Sequence, residues 1–349
     1  MISRIIDQAQ IEQLSKYLDI YNKIVITIHT SPDGDAVGSS LGLQHILLGM
    51  GKDVTVIAPD SLPANIKFLP KSSDIVVYDK AIEEAQRIID ESEMIICLDH
   101  NAPKRMSILG DAIVNAKATK VLIDHHLYPE SFCDLIISYP KMTSTCELLF
   151  RVLTQLELVD KIDTATAECI YTGMMTDTGN FSYNSNSSDL YLMVAELMTR
   201  GIDKDKIYSL AINCSSEDAL RLRSYAISEK MIIDYETRSA LITLNRAELR
   251  RFNYRRGDTE SLVNMPLAIP DVDWVLFMRQ DDKMIKISTR SKGNFAVNTI
   301  CSKYFNGGGH KNASGGEFFG SMATAIDTYK RIIADLKATK KVNTELKNI

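Results

Sequence analysis

The chain has 349 residues, with 40 lysines and arginines against 45 aspartates and glutamates and a formal net charge of −5. That length exceeds a typical single domain and fits two, each able to bury its own core. The slightly acidic balance excludes the overall positive field that holds long DNA or RNA by counterion release, and it suits a small phosphorylated substrate better.

Six cysteines, Cys97, Cys133, Cys146, Cys169, Cys214 and Cys301, are scattered with no C-x-x-C pair, so reduced thiols are expected rather than a disulfide framework. The opening residues, MISRIIDQAQIEQL, carry charges and glutamines where a signal peptide would be unbroken and apolar. No run approaches the roughly 18 apolar residues of a membrane span. A soluble, cytoplasmic protein with no membrane partner is expected.

Short runs rich in β-branched residues recur through the first half: Ile24 to Ile28, Val54 to Ala58, Ile75 to Tyr78, Met94 to Leu98, Val121 to Ile123 and Leu135 to Ser138. Continuous apolar runs of this length read as fully buried strands of a parallel sheet. Helical spacing between them, as in Ala36 to Leu48 and Ala81 to Ile89, gives the alternation of an α/β fold. The first domain is therefore expected to be a doubly wound, mainly parallel sheet. From Thr164 to Leu210 the pattern turns helical, and the charged amphipathic stretch Glu217 to Met231 reads as a connecting helix. Strands then follow over Ala240 to Leu244, Trp274 to Arg279 and Met284 to Thr289, with a glycine cluster and a terminal helix near Met322 to Leu336. The expected division is a first domain over 1–210, a linker helix over 211–232, a smaller α/β domain over 233–340 and a tail over 341–349. The segment KATKKVNTELKNI, from Lys337, has too few apolar residues to pack and is expected to fray.

Ligands of open α/β sheets bind beyond the carboxyl ends of the strands. The first strand ends in His29-Thr-Ser-Pro-Asp33-Gly-Asp35, the fourth in Asp99-His100-Asn101 and the fifth in Asp124-His125-His126. Pro-Asp-Gly is also a plain turn signal, and Asp35 could simply cap the helix that follows. Three strand ends carrying carboxylates beside histidines, however, require compensation by cations or hydrogen bonds. Asp177, in Thr176-Asp177-Thr178-Gly179-Asn180, sits at a helix end where its charge opposes the dipole.

His29, Asp33, Asp35, Asp99, His125 and Asp177 together form a carboxylate-rich set with no cysteine, which points away from a structural zinc. Two divalent ions fit it, manganese foremost, with magnesium, cobalt or iron as alternatives. Asp124 is expected to orient a ligating histidine through its second ring nitrogen, leaving His126 for the phosphate. In the second half, Asn306 to Gly316 holds five glycines with His310 and Lys311, and Arg290 precedes it. Glycine backbone can approach a phosphate closely and Arg supplies a planar donor fork, although a flexible hairpin has the same composition. Trp274 reads as core or domain interface in preference to a base-stacking platform, and the run Arg250 to Arg256 reads as a solvated face in preference to a phosphate site.

These motifs, HTSPDGDAVGS, LDHN, the Asp124-His125-His126 triplet, TDTGNFSY and GGGHKNASGG preceded by ISTRSKGN, resemble in order those of the DHH phosphoesterase superfamily and its associated C-terminal domain. The resemblance covers about residues 20–320. It implies one metal on His29, Asp33 and Asp99, and a second on Asp35, Asp99, His125 and Asp177, with Asp99 bridging. It further implies that Arg290, Gly308, Gly309, His310 and Ser314 grip a phosphate or nucleotide across a cleft between the domains, while His126 and Asp124 serve catalysis.

Length and architecture resemble the branch that degrades short oligoribonucleotides of about two to five nucleotides and dephosphorylates adenosine 3′,5′-bisphosphate. The expected partners are such short RNAs or phosphorylated nucleotides, not long duplexes; a homodimer is compatible. Hydrolysis of cyclic or linear diadenylate stays open, as does, from a different class, a non-catalytic nucleotide-binding sensor.

Overall fold

The computed structural model describes residues 2–346. The chain divides between Cys214 and Ser215 into two compact units.

In the first unit, β1 (Lys23–Thr27), β2 (Asp53–Ala58), β3 (Val76–Val77), β4 (Met94–Leu98), β5 (Thr119–Asp124) and β6 (Leu135–Ser138) form one sheet in the order β3-β2-β1-β4-β5-β6. Every pairing in it is parallel. Alternate residues of each strand enter two cores. Ile24, Ile26, Val56, Ile96 and Val121 face one side, and Val25, Ile57, Ile95, Cys97 and Leu122 face the other. Burial on both faces is why these strands read as unbroken apolar runs. The expected strand at Ile75 to Tyr78 shrinks to two residues at the sheet edge, where only one neighbour supplies hydrogen bonds.

One side of the sheet is covered by α1 (Gln8–Ile20), α2 (Gly34–Gly49), α5 (Thr145–Gln155), α6 (Thr164–Asp177), α7 (Ser188–Thr199) and α8 (Lys204–Ala211), and the other by α3 (Ile82–Glu91) and α4 (Ile108–Asn115). The helices α2 and α6 approach backbone to backbone. A Cβ on Gly38 would lie 2.4 Å from the Cys169 carbonyl, and one on Gly173 would lie 2.2 Å from Cys146 Sγ. Strand order reverses between β1 and β4, the place where an open α/β sheet leaves a crevice for ligands.

The second unit holds a mixed sheet in the order β11-β12-β10-β9-β8-β7, made of β7 (Ile232–Asp234), β8 (Ser239–Leu244), β9 (Trp274–Gln280), β10 (Ile285–Ser291), β11 (Gly308–His310) and β12 (Ala313–Phe318). Its helix α9 (Glu217–Ser228), expected as a connector, instead buries Leu222 and Ala226 against Ala240, Ile242 and Val275. A short helix α10 (Arg246–Arg251) follows β8. On the opposite face, α11 (Val297–Tyr304) and α12 (Met322–Leu346) cover Leu276, Ile285 and Ile287. Trp274 is fully buried and stacks on Phe295 at 5.2 Å, in the core as expected.

The glycine cluster is a hairpin of two strands, in which Gly307 and Gly316 sit where a Cβ would come within 2.0 and 2.4 Å of backbone carbonyls. Close approach, not mobility, explains those two glycines. The helix α12 continues to Leu346, so the tail expected to fray from Lys337 is helical that far; Lys347, Asn348 and Ile349 lie outside the described residues. Lys337 is also tied down, with its ammonium 2.7 Å from Asp234.

Candidate metal centre

The turn after β1 places His29 and Asp33. The His29 ring is fixed by its Nδ1, 2.8 Å from the Thr30 carbonyl, which as an acceptor makes Nδ1 the protonated nitrogen. Its Nε2 then carries a lone pair, buried and without a hydrogen-bond partner, 3.2 Å from Asp99 Oδ2 and 3.9 Å from Asp33 Oδ1. Asp33, and not Asp35, caps α2, accepting from the Asp35 and Ala36 amides at 3.0 and 3.1 Å. This frees Asp35 from the capping role that its position had allowed.

Asp35 points into the protein at 1% exposure. Its two oxygens accept from the backbone amides of Thr145 at 2.6 Å and Cys146 at 2.9 Å, the first turn of α5. A helix N-terminus favours a buried carboxylate by its free N–H groups and its dipole. Ser144 caps that helix through the Glu147 amide at 2.9 Å, so the sequence Ser-Thr-Cys-Glu builds the cradle. Sequence reasoning passed over this segment, although Ser144 followed three residues later by Glu147 before an apolar run is a helix-start signal. Thr145 adds a second contact, donating from Oγ1 to Asp99 Oδ1 at 2.9 Å.

Asp99 sits just past β4 with φ of +60°, a left-handed conformation that costs a non-glycine residue energy and recurs at functional sites. Its Oδ2 faces His29, while its Oδ1 lies 3.6 Å from His125 Nε2. His125 is aimed by its Nδ1, 3.1 Å from the Met142 carbonyl, and its Nε2 lies 3.4 Å from Asp177 and 3.8 Å from Asp35. Asp124, expected to orient a ligating histidine, does not contact the Nδ1 of His125. Asp124 holds His126 instead, accepting from its Nδ1 at 2.7 Å and from its backbone amide at 3.0 Å. Asn101 pins the same loop by donating to the Leu127 carbonyl at 2.6 Å. His100 is fully buried against Phe132 and belongs to neither ligand group.

Among the sets of potential ligand atoms that result are His29 with Asp33 and Asp99, Asp35 with His125 and Asp177, and Asp99 with Asp124 and His126, the atoms of each set lying within 4.8 Å of one another. The electrostatics show what the cluster lacks. Burial raises the Asp35 pKa well above its usual value, and the nearby charges of Asp99 and Asp177 raise it further. For Asp99 burial acts in the same direction, but the close approach of His29 and the charges of His126 and His125 outweigh it and hold it low. His125 is pushed up to about 9, because Asp177, Asp35 and Asp99 overcome the opposing effect of burial. Carboxylates crowded this closely, facing an imidazole nitrogen with no protein partner, fit divalent cations of the oxygen- and nitrogen-preferring kind.

In the second unit, Arg290 on β10 and His310 on β11 each pair with Ala313 of β12, from its two sides. They therefore share one sheet face, beside the Gly308 and Gly309 backbone. Ser314, expected to join them, points to the opposite face. It is 4% exposed, opposite buried Thr289, and donates from Oγ to the Gly308 carbonyl at 2.6 Å. The period of two along a strand turns its side chain away from that face.

The first unit matches the DHH family N-terminal domain over residues 23–174, and the second matches the DHHA1 domain over residues 241–335. A crystal structure of an exopolyphosphatase-related protein from Bacteroides fragilis superposes with a TM-score of 0.93 at 46% identity, covering 97% of this chain and 100% of that one. A probable bifunctional oligoribonuclease and PAP phosphatase of Streptococcus mutans is 28% identical over 89% of this chain and 94% of its own. The Bacillus subtilis bifunctional oligoribonuclease and PAP phosphatase is 25% identical over 93% and 97%. Among the described residues no helix is long and apolar enough to cross a membrane. With its acid and histidine motifs gathered at the switch point of a parallel sheet, and a DHHA1 domain following, the chain belongs to the DHH family of phosphoesterases.

Proposed function

We propose that this protein is a manganese-dependent phosphohydrolase that releases nucleoside monophosphates from oligoribonucleotides of about two to five residues and dephosphorylates adenosine 3′,5′-bisphosphate. The observation that carries the two-metal part is Asp99, whose two carboxylate oxygens face the two ligand groups separately. The substrate class draws on relatives named for those activities that align with nearly the whole chain.

In this reading His29, Asp33 and Asp99 hold one ion, and Asp35, Asp99, His125 and Asp177 the other. When bound, two such ions would supply Lewis acidity at the phosphoryl oxygens and a water acidic enough to ionise near neutral pH. The chain's own residues provide placement. The N-terminus of α5 fixes Asp35 and Thr145 fixes Asp99, so little reorganisation is needed on binding. Asp124 fixes the ring of His126 by accepting from its Nδ1, and the doubly protonated ring would donate to a phosphoryl oxygen. Arg290, His310 and the amides of Gly308 and Gly309 hold a second phosphate of the substrate. The cytoplasm, where short RNAs arise, is the matching location.

Product analysis with manganese on dinucleotides, longer RNAs, adenosine 3′,5′-bisphosphate, linear diadenylate, pyrophosphate and inorganic polyphosphate tests the substrate assignment. Monophosphate release from the short RNAs and from the bisphosphate is expected. Dominant turnover of polyphosphate or pyrophosphate would replace it. Full manganese-dependent turnover by Asp99→Ala or His125→Ala would remove the metal mechanism.

A further inference from the structure

Two cysteines of the first unit meet in the core on the α3 and α4 side of its sheet. Cys97 is fully buried on β4, and Cys133, half-buried, lies in the segment that leads into β6. No spacing motif marks the pair in the sequence; the fold makes it. The two sulfurs stand within hydrogen-bonding reach of each other, and the Thr27 hydroxyl donates to Cys97 Sγ at 3.6 Å.

Cys133 is held at this place from both sides. Before it, the Glu130 amide donates to the Asn101 carbonyl at 2.8 Å. After it, the Asp134 amide donates to the Lys120 carbonyl at 2.9 Å, and the Lys120 amide donates to Asp134 Oδ2 at 2.8 Å. Phe132 stacks on His100 between these ties. The segment is thus fixed against the loop after β4 and the start of β5, and the two thiols meet without a search.

Two further features suit chemistry between these sulfurs. His100 is fully buried beside Cys97, neither of its ring nitrogens completes a hydrogen bond, and it joins no group of metal-ligand atoms. A buried imidazole left unsatisfied is a cost that packing alone does not explain; next to a sulfur that must lose its proton it has a use. Cys133 is the less buried of the two, so a small oxidant reaches it first.

We propose that Cys97 and Cys133 form an oxidation site, which a peroxide converts to a disulfide that lowers turnover through Asp99. Peroxide oxidises the Cys133 thiol to a sulfenic acid and releases one water. The Cys97 sulfur then attacks the sulfenic sulfur. The S–S bond forms, the S–O bond breaks, and the Cys97 proton, held in passing by His100, leaves with the hydroxyl as a second water. Two electrons pass from the pair of sulfurs to the peroxide O–O bond. In a reducing compartment such a disulfide is transient, and a dithiol reverses it by exchange. Disulfide sulfurs stand about 2 Å apart, closer than two thiols approach. Closing that gap draws the end of β4 toward the segment whose other end carries His125 and His126. Asp99, just past β4, already holds a left-handed conformation that its surroundings must maintain. A displacement of about 1 Å at such a group costs up to roughly 10²-fold in rate.

The test exposes the full chain to hydrogen peroxide and reads two things, a peptide map under non-reducing conditions and turnover, with manganese, of the substrate the protein hydrolyses best. A peptide joining Cys97 to Cys133 should appear, and turnover should fall at least about tenfold and return with dithiothreitol. Cys133→Ser should match the unaltered protein before oxidation, yield no such peptide and keep its turnover in peroxide. Cys133→Ala repeats the measurement if the serine variant folds poorly. Cys214→Ser, which removes the exposed cysteine, should respond as the unaltered protein does. Oxidised protein without the Cys97–Cys133 peptide overturns the site, whatever the substrate proves to be. A linked protein with undiminished turnover, or an equal loss in Cys133→Ser, overturns its effect on Asp99. A response abolished in Cys214→Ser assigns the effect to a link between copies and overturns the proposal.

Discussion

Asp35, Asp99 and His125 of the first unit are 1%, 2% and 3% exposed, whereas Arg290 and His310 in the second unit are half-buried on a sheet face. Both places gather charge, but the physics differs. In the first, water cannot compensate buried charge, so the two carboxylates and the imidazole are each held by named partners, and the cluster as a whole calls for cations. In the second, water screens the charges more strongly. The contrast teaches where to look for each kinetic parameter. Losses in the buried cluster should appear in kcat and metal affinity, and losses on the open face in KM and salt dependence.

The sharpest way to break that contrast is Asp99→Ala. Removing the carboxylate that faces both ligand groups should lower manganese-supported turnover by at least about 10³-fold, several kcal/mol of transition-state stabilisation. A loss confined to KM would place Asp99 with the surface residues instead. Metal affinity should come next. A ligating imidazole must be neutral, and with His125 at about 9 a proton competes for Nε2 at neutral pH. Manganese affinity, measured by titration calorimetry, should climb by up to roughly tenfold per pH unit from 7 to 9 and level off above.

The same shift has the opposite sign for stability of the metal-free protein. A folded pKa raised above 6.5 contributes stability that is fully present below 6.5 and lost as pH rises through about 9. Thermal melts of chelated protein across that window check it.

Thr145→Val sharpens the picture of the supporting residues. It removes the Oγ1 donor to Asp99 while keeping the volume, and should cost about ten- to a hundredfold in activity or metal affinity. The smallest effect is expected from Arg290→Lys, which keeps the charge but loses the planar fork: KM should rise about tenfold with kcat nearly unchanged. A fall in kcat of the same size would tie Arg290 to the buried cluster's behaviour.

The sequence by itself determined the parallel sheet, because strands buried on both faces must be apolar throughout, and it determined which acids and histidines lie at strand ends, because those positions follow directly from the runs. It also marked Arg290 and His310 through glycine-rich surroundings. Only tertiary structure decided the partners. That Met142, 17 residues away, aims His125, that Asp124 turns to His126, and that the first turn of α5 holds Asp35 across 110 residues are consequences of which elements pack together. Register decided the second unit in the same way. Once Gly308–His310 and Ala313–Phe318 pair as strands, the alternation of side chains sends Ser314 into the core and sets His310 on the face of Arg290. Local pattern specifies which residues an element offers, while the face and the neighbour are set by pairings between segments far apart in the chain.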